Sequence, residues 1–421
     1  MSHRILKLTV LAGLALTACR DAEAPTAIVG SPLLNQSEGR GTFQRYVAIG
    51  TSVSMGWASD GVVGASQLQS WPAQLARMAH REMSLPLISA PGCKAPFAAP
   101  LITFSRVSGE SVTIPEASLI CADNEPGVVL PAQNVAISGA WTGDALSTTP
   151  DLKVDAFGSK LYRRVLPLGE TQVSAMEQQN PKFVSVELGA NDILSILGGA
   201  VIPGVTIVQF ATWVGQYDQI LDRVGAVTKE AVLVGLAGDL ANLPPLRRGS
   251  ELWADRAAFL AAFNVSVNAD CDGNQNLIVA NVLVPTAVAN GLVRKSQNLP
   301  PFVLSCTAGA STAQDRILTA DEVAFVNAQG ALMNNHIRAE ATARGYAFFE
   351  LGALYSLPKA PYSVVTQMTS GAPYGPNISF DGIHPSAAGS AILAAAAAQA
   401  IDTRYSLGLT SSLGIPALLH R

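Results

Sequence analysis

Five short apolar runs, at 46–49, 134–137, 183–188, 231–236 and 347–351, divide the chain. Each is rich in Val, Ile, Leu, Ala or Phe and is bounded by Gly or polar residues. Their apolarity is continuous rather than alternating, which predicts strands covered on both faces, as in a parallel sheet. Between them lie helical patterns at 72–81, 209–227 and 320–344. The last carries Val323, Phe325, Val326, Leu332, Met333 and Ile337 as an apolar stripe at helical spacing. Strands alternating with helices imply an α/β domain whose chemistry sits at the carboxyl ends of the strands. No internal repeat interrupts the pattern.

Two stretches break the alternation, 91–132 and 240–318. Long irregular connections in a compact domain are usually covers or binding loops. They read as insertions on one domain spanning 42–421, although the second is large enough to pass for a small subdomain.

The N-terminus carries a different pattern. His3, Arg4 and Lys7 precede a short apolar core, residues 8–18, too short to span a bilayer. It ends in Leu16-Thr17-Ala18-Cys19, which resembles the bacterial lipobox, where the cysteine is lipidated. The expectation is a lipoprotein signal peptide over 1–18, lipidation at Cys19 and a flexible tether over 19–41. A tether of roughly 20 coil residues reaches about 25 Å on average. The protein is then expected in the bacterial cell envelope, anchored to a membrane by its N-terminal lipid and facing the periplasm or held at the outer membrane.

Composition narrows the functional classes. Among 421 residues, 49% are hydrophobic and 14% charged, which excludes disorder over most of the chain. A formal charge of -4 offers no basic face for nucleic acid. Removing Cys19 leaves Cys93, Cys121, Cys271 and Cys306. In an oxidising compartment four cysteines allow three pairings. Proximity favours Cys93–Cys121 and Cys271–Cys306; free buried thiols are the alternative.

Only five histidines occur, His3, His80, His336, His384 and His420, so imidazole chemistry has few candidates. His384 is the one in a turn beside a carboxylate: Asp381 precedes it by three residues in FDGIHPSAAG, just before a helix that Pro385 and Ser386 help to start. Three apolar runs end in small or polar residues, Gly50-Thr51-Ser52, Ser138-Gly139-Ala140 and Gly189-Ala190-Asn191-Asp192. In a parallel sheet those tips share one edge. Acyl transfer needs such a set. Serine is a weak nucleophile until a base takes its proton. A carboxylate holds the base's tautomer, and N–H donors meet the oxyanion. Ser52, His384 and Asp381 fit the first three roles. The amides of Ser52 and Gly139 and the side chain of Asn191 fit the fourth.

Taken singly, each motif is an ordinary turn or helix cap. In this order they resemble the SGNH hydrolases, also called the GDSL lipase/esterase family. Gly50-Thr51-Ser52 resembles the nucleophile motif, NVAISGA (134–140) the oxyanion-glycine motif, Gly189–Asp192 the G-x-N-D motif and Asp381–His384 the terminal D-x-x-H. The resemblance spans about 340 residues. It implies a three-layer, flavodoxin-like α/β/α fold with a central parallel sheet. It also implies Ser52 as nucleophile, Gly139 and Asn191 as oxyanion donors, His384 as base and Asp381 as its orienter. The family's usual Asp before the nucleophile is Thr51 here. The α/β-hydrolase elbow G-x-S-x-G does not occur in the chain.

The sequence therefore predicts a monomeric ester hydrolase acting through an acyl-enzyme without metal or organic cofactor. Its substrate is a small-molecule, lipid or polysaccharide ester. Low aromatic content, 6%, argues against a long sugar-stacking platform. Two rivals share the features: an inactive envelope- or sugar-binding lipoprotein, and an acyltransferase using the same site. Ser54 is expected to be structural, His80 a surface residue at a helix end, and His336 surface-exposed or satisfied by a neighbour. Trp57 and Trp141 are placed either at a pocket wall or in the core.

Overall fold

In a computed structural model, residues 41–410 are described. Cys19, the 1–18 signal segment and all but the last residue of the 19–41 tether lie outside them.

The strands β1 (Tyr46–Gly50), β2 (Phe183–Glu187), β3 (Glu230–Gly235) and β9 (Ala347–Glu350) form a parallel sheet in the order β1-β2-β3-β9. Four of the five apolar runs thus become its strands. Val47, Ile49, Val184, Val186, Val232 and Leu233 are buried on both sides of it. Burying each such side chain contributes about 1.5–3 kcal/mol, so the continuous apolarity has a direct energetic cause. The fifth run, 134–137, makes one parallel bridge, Ala48 to Asn134, rather than a full strand. The amides of Val135 and Ile137 still donate to Ala48 O at 2.9 Å and Gly50 O at 3.0 Å, so the segment lines the free edge of β1. The side chain of Asn134 explains the short ladder: it reaches across to Ser54 O at 2.8 Å and accepts from the Ala136 amide at 3.1 Å.

Helices Trp71–Met78 and Ala387–Tyr405 pack on each other, the latter also against β9. Helices Gln172–Gln178, Phe210–Val227 and Ala320–Arg344 form a second group that packs on β1, β3 and β9. The result is a three-layer α/β/α fold. The 320–344 helix begins at a capping box, in which Thr319 Oγ1 accepts from the Glu322 amide and Glu322 accepts from the Thr319 amide. It ends at Gly345, φ 73°. Its buried face is Val326, Gly330, Met333, Asn334, Ile337 and Ala341. Phe325 and Leu332, assigned to the stripe from spacing, are 38% and 45% exposed. The seam turns instead through Gly330 and Asn334, whose Oδ1 accepts the Leu236 amide at the end of β3 (2.6 Å).

The two irregular stretches are built differently. Segment 91–132 has isolated bridges and 3-10 turns, and the structure joins Cys93 to Cys121. Segment 240–318 holds β4 (Leu246–Arg248), β6 (Leu277–Val279) and β8 (Ile317–Leu318) as an antiparallel sheet. Beside it β5 (Val265–Val267) pairs in parallel with β7 (Phe302–Leu304), and Cys271 is joined to Cys306. Phe259, Phe263, Ile278, Val284 and Val288 give this segment a core of its own, which Val364 and Met368 from beyond β9 complete. None of the described helices is long and apolar enough to cross a membrane.

Candidate active site

Ser52 opens a single helical turn, Ser52–Met55, directly after β1. Thr51 is extended (φ -110°, ψ -155°) and Gly56 closes the turn with φ 84°. The first N–H groups of a helix have no partner within it. Here the Ser54 amide donates to Glu187 Oε2 at 3.2 Å, as does the Thr51 amide at 3.0 Å. Ser54 is fully buried and its Oγ accepts from the Trp71 indole at 3.1 Å, so its hydroxyl is occupied away from the cavity.

Glu187 went unremarked in the sequence because it ends an apolar run. It is 2% exposed and holds the Ser52 turn through the amides of Thr51 and Ser54 and the hydroxyl of Thr51 (2.8 Å). Burial pushes its pKa up, against the pull of these hydrogen bonds. Thr51 therefore supplies a hydroxyl where an aspartate would set a second carboxylate against Glu187.

Gly139 follows the 134–137 edge segment and has φ 78°, with nothing within 4 Å of the place a Cβ would occupy. Backbone conformation, not space, calls for glycine there. Gly189, φ 115°, turns the chain from β2 into the short helix Asn191–Leu194. One amide hydrogen of Asn191 Nδ2 is donated to Ala140 O at 2.9 Å, which ties it to the glycine segment and leaves its second hydrogen free for another acceptor. A further tie lies beneath. The buried carboxylate of Asp192 accepts from the amide and hydroxyl of Thr142 (3.0 and 2.8 Å), and the Trp213 indole donates to that hydroxyl at 3.0 Å. Burial raises the Asp192 pKa to about 6.

His384 Nδ1 lies 2.8 Å from Asp381 Oδ2. Asp381 also accepts from the amides of Asp60 (2.7 Å), Ile383 (2.8 Å) and His384 (2.8 Å). Burial works against its charge, but the imidazole and these donors outweigh burial and hold its pKa at about 2. An ionised Asp381 fixes the proton on Nδ1 and leaves Nε2 as the basic nitrogen. Ser386 Oγ caps the following helix by accepting the Gly389 amide at 3.2 Å, anchoring the loop that carries both residues.

Ser52, Gly139, Asn191 and His384 line one cavity of about 400 Å³, with Asp381 behind His384. Trp57 lines it too while packing in the core; Trp141 lies on a separate surface depression. His80 is exposed just past the end of the 71–78 helix, and His336 is paired with Asp218 at 2.6 Å. The arrangement brings the Ser52 hydroxyl, the Asp381-paired His384 imidazole, Gly139 and Asn191 to one pocket.

The profile of GDSL-like lipases/acylhydrolases matches residues 46–397, nearly the whole described chain. The chain belongs to that family. It is an SGNH-type ester hydrolase. Among solved structures, an alpha/beta hydrolase from the metagenome of Lake Arreo is 12% identical, covering 86% of this chain and 98% of its own, with a TM-score of 0.35. An acetyl xylan esterase from Geobacillus stearothermophilus is 11% identical, covering 85% and 94%, with a TM-score of 0.35. An extracellular lipase from Streptomyces rimosus is 16% identical, covering 83% and 98%, with a TM-score of 0.30. No curated protein matches the sequence.

Proposed function

We propose that this hydrolase cleaves carboxylic esters through an acyl-enzyme formed on Ser52. His384 Nε2 takes the Ser52 hydroxyl proton as Oγ attacks the carbonyl carbon. The oxyanion then accepts hydrogen bonds from the amides of Ser52 and Gly139 and from Asn191 Nδ2. Collapse of this intermediate expels the alcohol, which takes the proton from His384. Water, deprotonated by the same nitrogen, then attacks the acyl-enzyme and releases the acid. Asp381 stays ionised throughout and stabilises the imidazolium. The observation that supports this best is the Asp381–His384 pair behind a cavity that Ser52, Gly139 and Asn191 also line.

The reading extends to the N-terminus as a proposal of its own: Cys19 is lipidated and holds a monomeric catalytic domain at the cell envelope. Cys19→Ser should release the protein into the soluble fraction with unchanged activity per molecule.

The central test is labelling with a fluorophosphonate followed by peptide mapping. The adduct is expected on Ser52. Ser52→Ala should lose both labelling and turnover while remaining folded, and Ser54→Ala should keep labelling. An adduct on Ser54, or labelling that survives in Ser52→Ala, overturns the assignment.

A further inference from the structure

A second, smaller cavity of about 210 Å³ lies apart from the one that Ser52 lines. Of their lining residues only Tyr355 is shared. Arg247, in β4, and Lys359, just past the helix Gly352–Tyr355, both line the smaller one. Arg247 Nη1 donates to Ala360 O at 3.0 Å, and Lys359 Nζ donates to Leu246 O at 2.8 Å. Each side chain thus bonds the main chain next to the other residue, an interlock that holds two cations in one cavity. The rest of the lining is largely apolar and includes Pro244, Leu354, Leu357 and Ile378.

The two cations keep donors unused. Arg247 is 5% exposed; its Nε donates to Pro244 O at 3.0 Å and its Nη1 to Glu251 Oε1 at 3.2 Å as well as to Ala360 O. Neither hydrogen of Nη2 has a partner among the described residues. Lys359 Nζ also donates to Ala241 O at 2.6 Å, which leaves one of its three hydrogens. Buried cations with donors to spare are costly, and an anion that accepts from both relieves that cost. Burial, and then Arg247, pull the Lys359 pKa down to about 8, the direction that a bound anion would reverse.

We infer that this cavity binds a small organic monocarboxylate, one oxygen accepting from Arg247 Nη2 and the other from Lys359 Nζ, with its hydrocarbon part among the apolar lining residues. Charge selects the class. Arg247 and Arg248 act on Lys359 against Glu251 and Asp239, so with its own ammonium the group carries one net positive charge. That balance suits a monoanion and disfavours a divalent phosphate. The apolar lining rewards a hydrocarbon tail, which an inorganic ion lacks.

The test reads Lys359 in the purified full-length protein by isotopic reductive methylation at pH 8 and peptide mass mapping. Butyrate, raised to about 50 mM, should slow methylation of Lys359 saturably by about fivefold or more. Methylation of the exposed Lys160, Lys229 and Lys295 should not change. Neither butanol nor inorganic phosphate should protect as butyrate does. The midpoint of the Lys359 pH profile, about 8 without ligand, should rise by about one unit with butyrate. Arg247→Gln, its fold checked by circular dichroism, should lose the protection; should that variant not fold, the wild-type comparison decides alone. Unprotected Lys359, equal slowing of the exposed lysines, equal protection by butanol or phosphate, or protection that survives in folded Arg247→Gln each overturns the inference.

Discussion

Asp381 and Glu187 are both buried carboxylates beside the same cavity, yet the first sits at about 2 and the second is pushed above its ordinary value. Asp192, the least exposed of the three, is raised to about 6. Burial opposes the charge in all three cases. The donors differ. Asp381 receives three backbone amides, the Ser379 hydroxyl and the His384 ring; Glu187 receives two amides and the Thr51 hydroxyl; Asp192 receives one amide and one hydroxyl of Thr142. Of these donors, only the His384 ring on Asp381 can carry positive charge. The carboxylate beside the imidazole is thus kept ionised, whereas those that clamp the Ser52 turn and the 139–142 and 191–192 segments are held by hydroxyls and amides alone. The two halves of the site therefore respond differently to substitution.

The largest effect is expected on the acid–base half. His384→Ala should lower kcat/KM roughly a thousandfold or more, since no other described histidine lines the cavity. His336→Ala, which removes only a pairing with Asp218, should stay near wild type; a comparable loss there would sink the base assignment. Asn191→Ala comes next. Removing one oxyanion donor costs about 10²–10³ in kcat with KM little changed. Steady-state kinetics separate this from a binding role, which raises KM at constant kcat.

The proposed catalytic residues were legible in the sequence because each follows an apolar run or precedes a helix at short range. The clamps were not. Glu187 ends a strand pattern as any polar residue might, and its partners Thr51 and Ser54 lie more than a hundred residues earlier. Asp192 faces Thr142 across fifty residues. Pairings that sequence separation hides also explain the 240–318 segment, whose three-residue strands β5 and β7 are too short to register as periodic patterns. The helix over 320–344 shows the complementary limit. Its ends followed from local capping, but its buried face was set by Gly330 and Asn334, residues that hydrophobic spacing ignores.

On the clamping half, Glu187→Ala tests whether the turn needs the carboxylate's acceptors. The Thr51 and Ser54 amides both donate to Oε2, so a glutamine keeps both on its single oxygen, whereas an alanine leaves both without an acceptor. A buried N–H left without a partner costs about 1–3 kcal/mol. Thermal unfolding should show that loss, with kcat lowered by no more than about tenfold. A thousandfold fall in kcat at unchanged stability would place Glu187 in the chemistry instead.

Asp192 gives the smallest effect and the one with a distinctive pH signature. Its folded pKa of about 6 lies above the ordinary aspartate value of 3.8, so between those values the folded state holds a proton that the unfolded chain has released. Stability contributed by this group must therefore fall as pH rises from about 4 to about 6, by up to about 3 kcal/mol at 1.36 kcal/mol per pKa unit. Glu187 shifts in the same direction, so the wild-type slope alone does not isolate Asp192. Asp192→Asn does. Its Oδ1 can accept the Thr142 amide, and its Nδ2 can donate to the Thr142 hydroxyl, which has a second lone pair for the Trp213 indole. The variant is hydrogen-bonded and cannot ionise. Denaturant unfolding at pH 4, 5, 6 and 7 should show a shallower decline than in wild type, and equal or higher stability at pH 7. Parallel curves for the two proteins would mean that Asp192 is already ionised at pH 4 in the folded state, and that Thr142 holds it by charge rather than by shape.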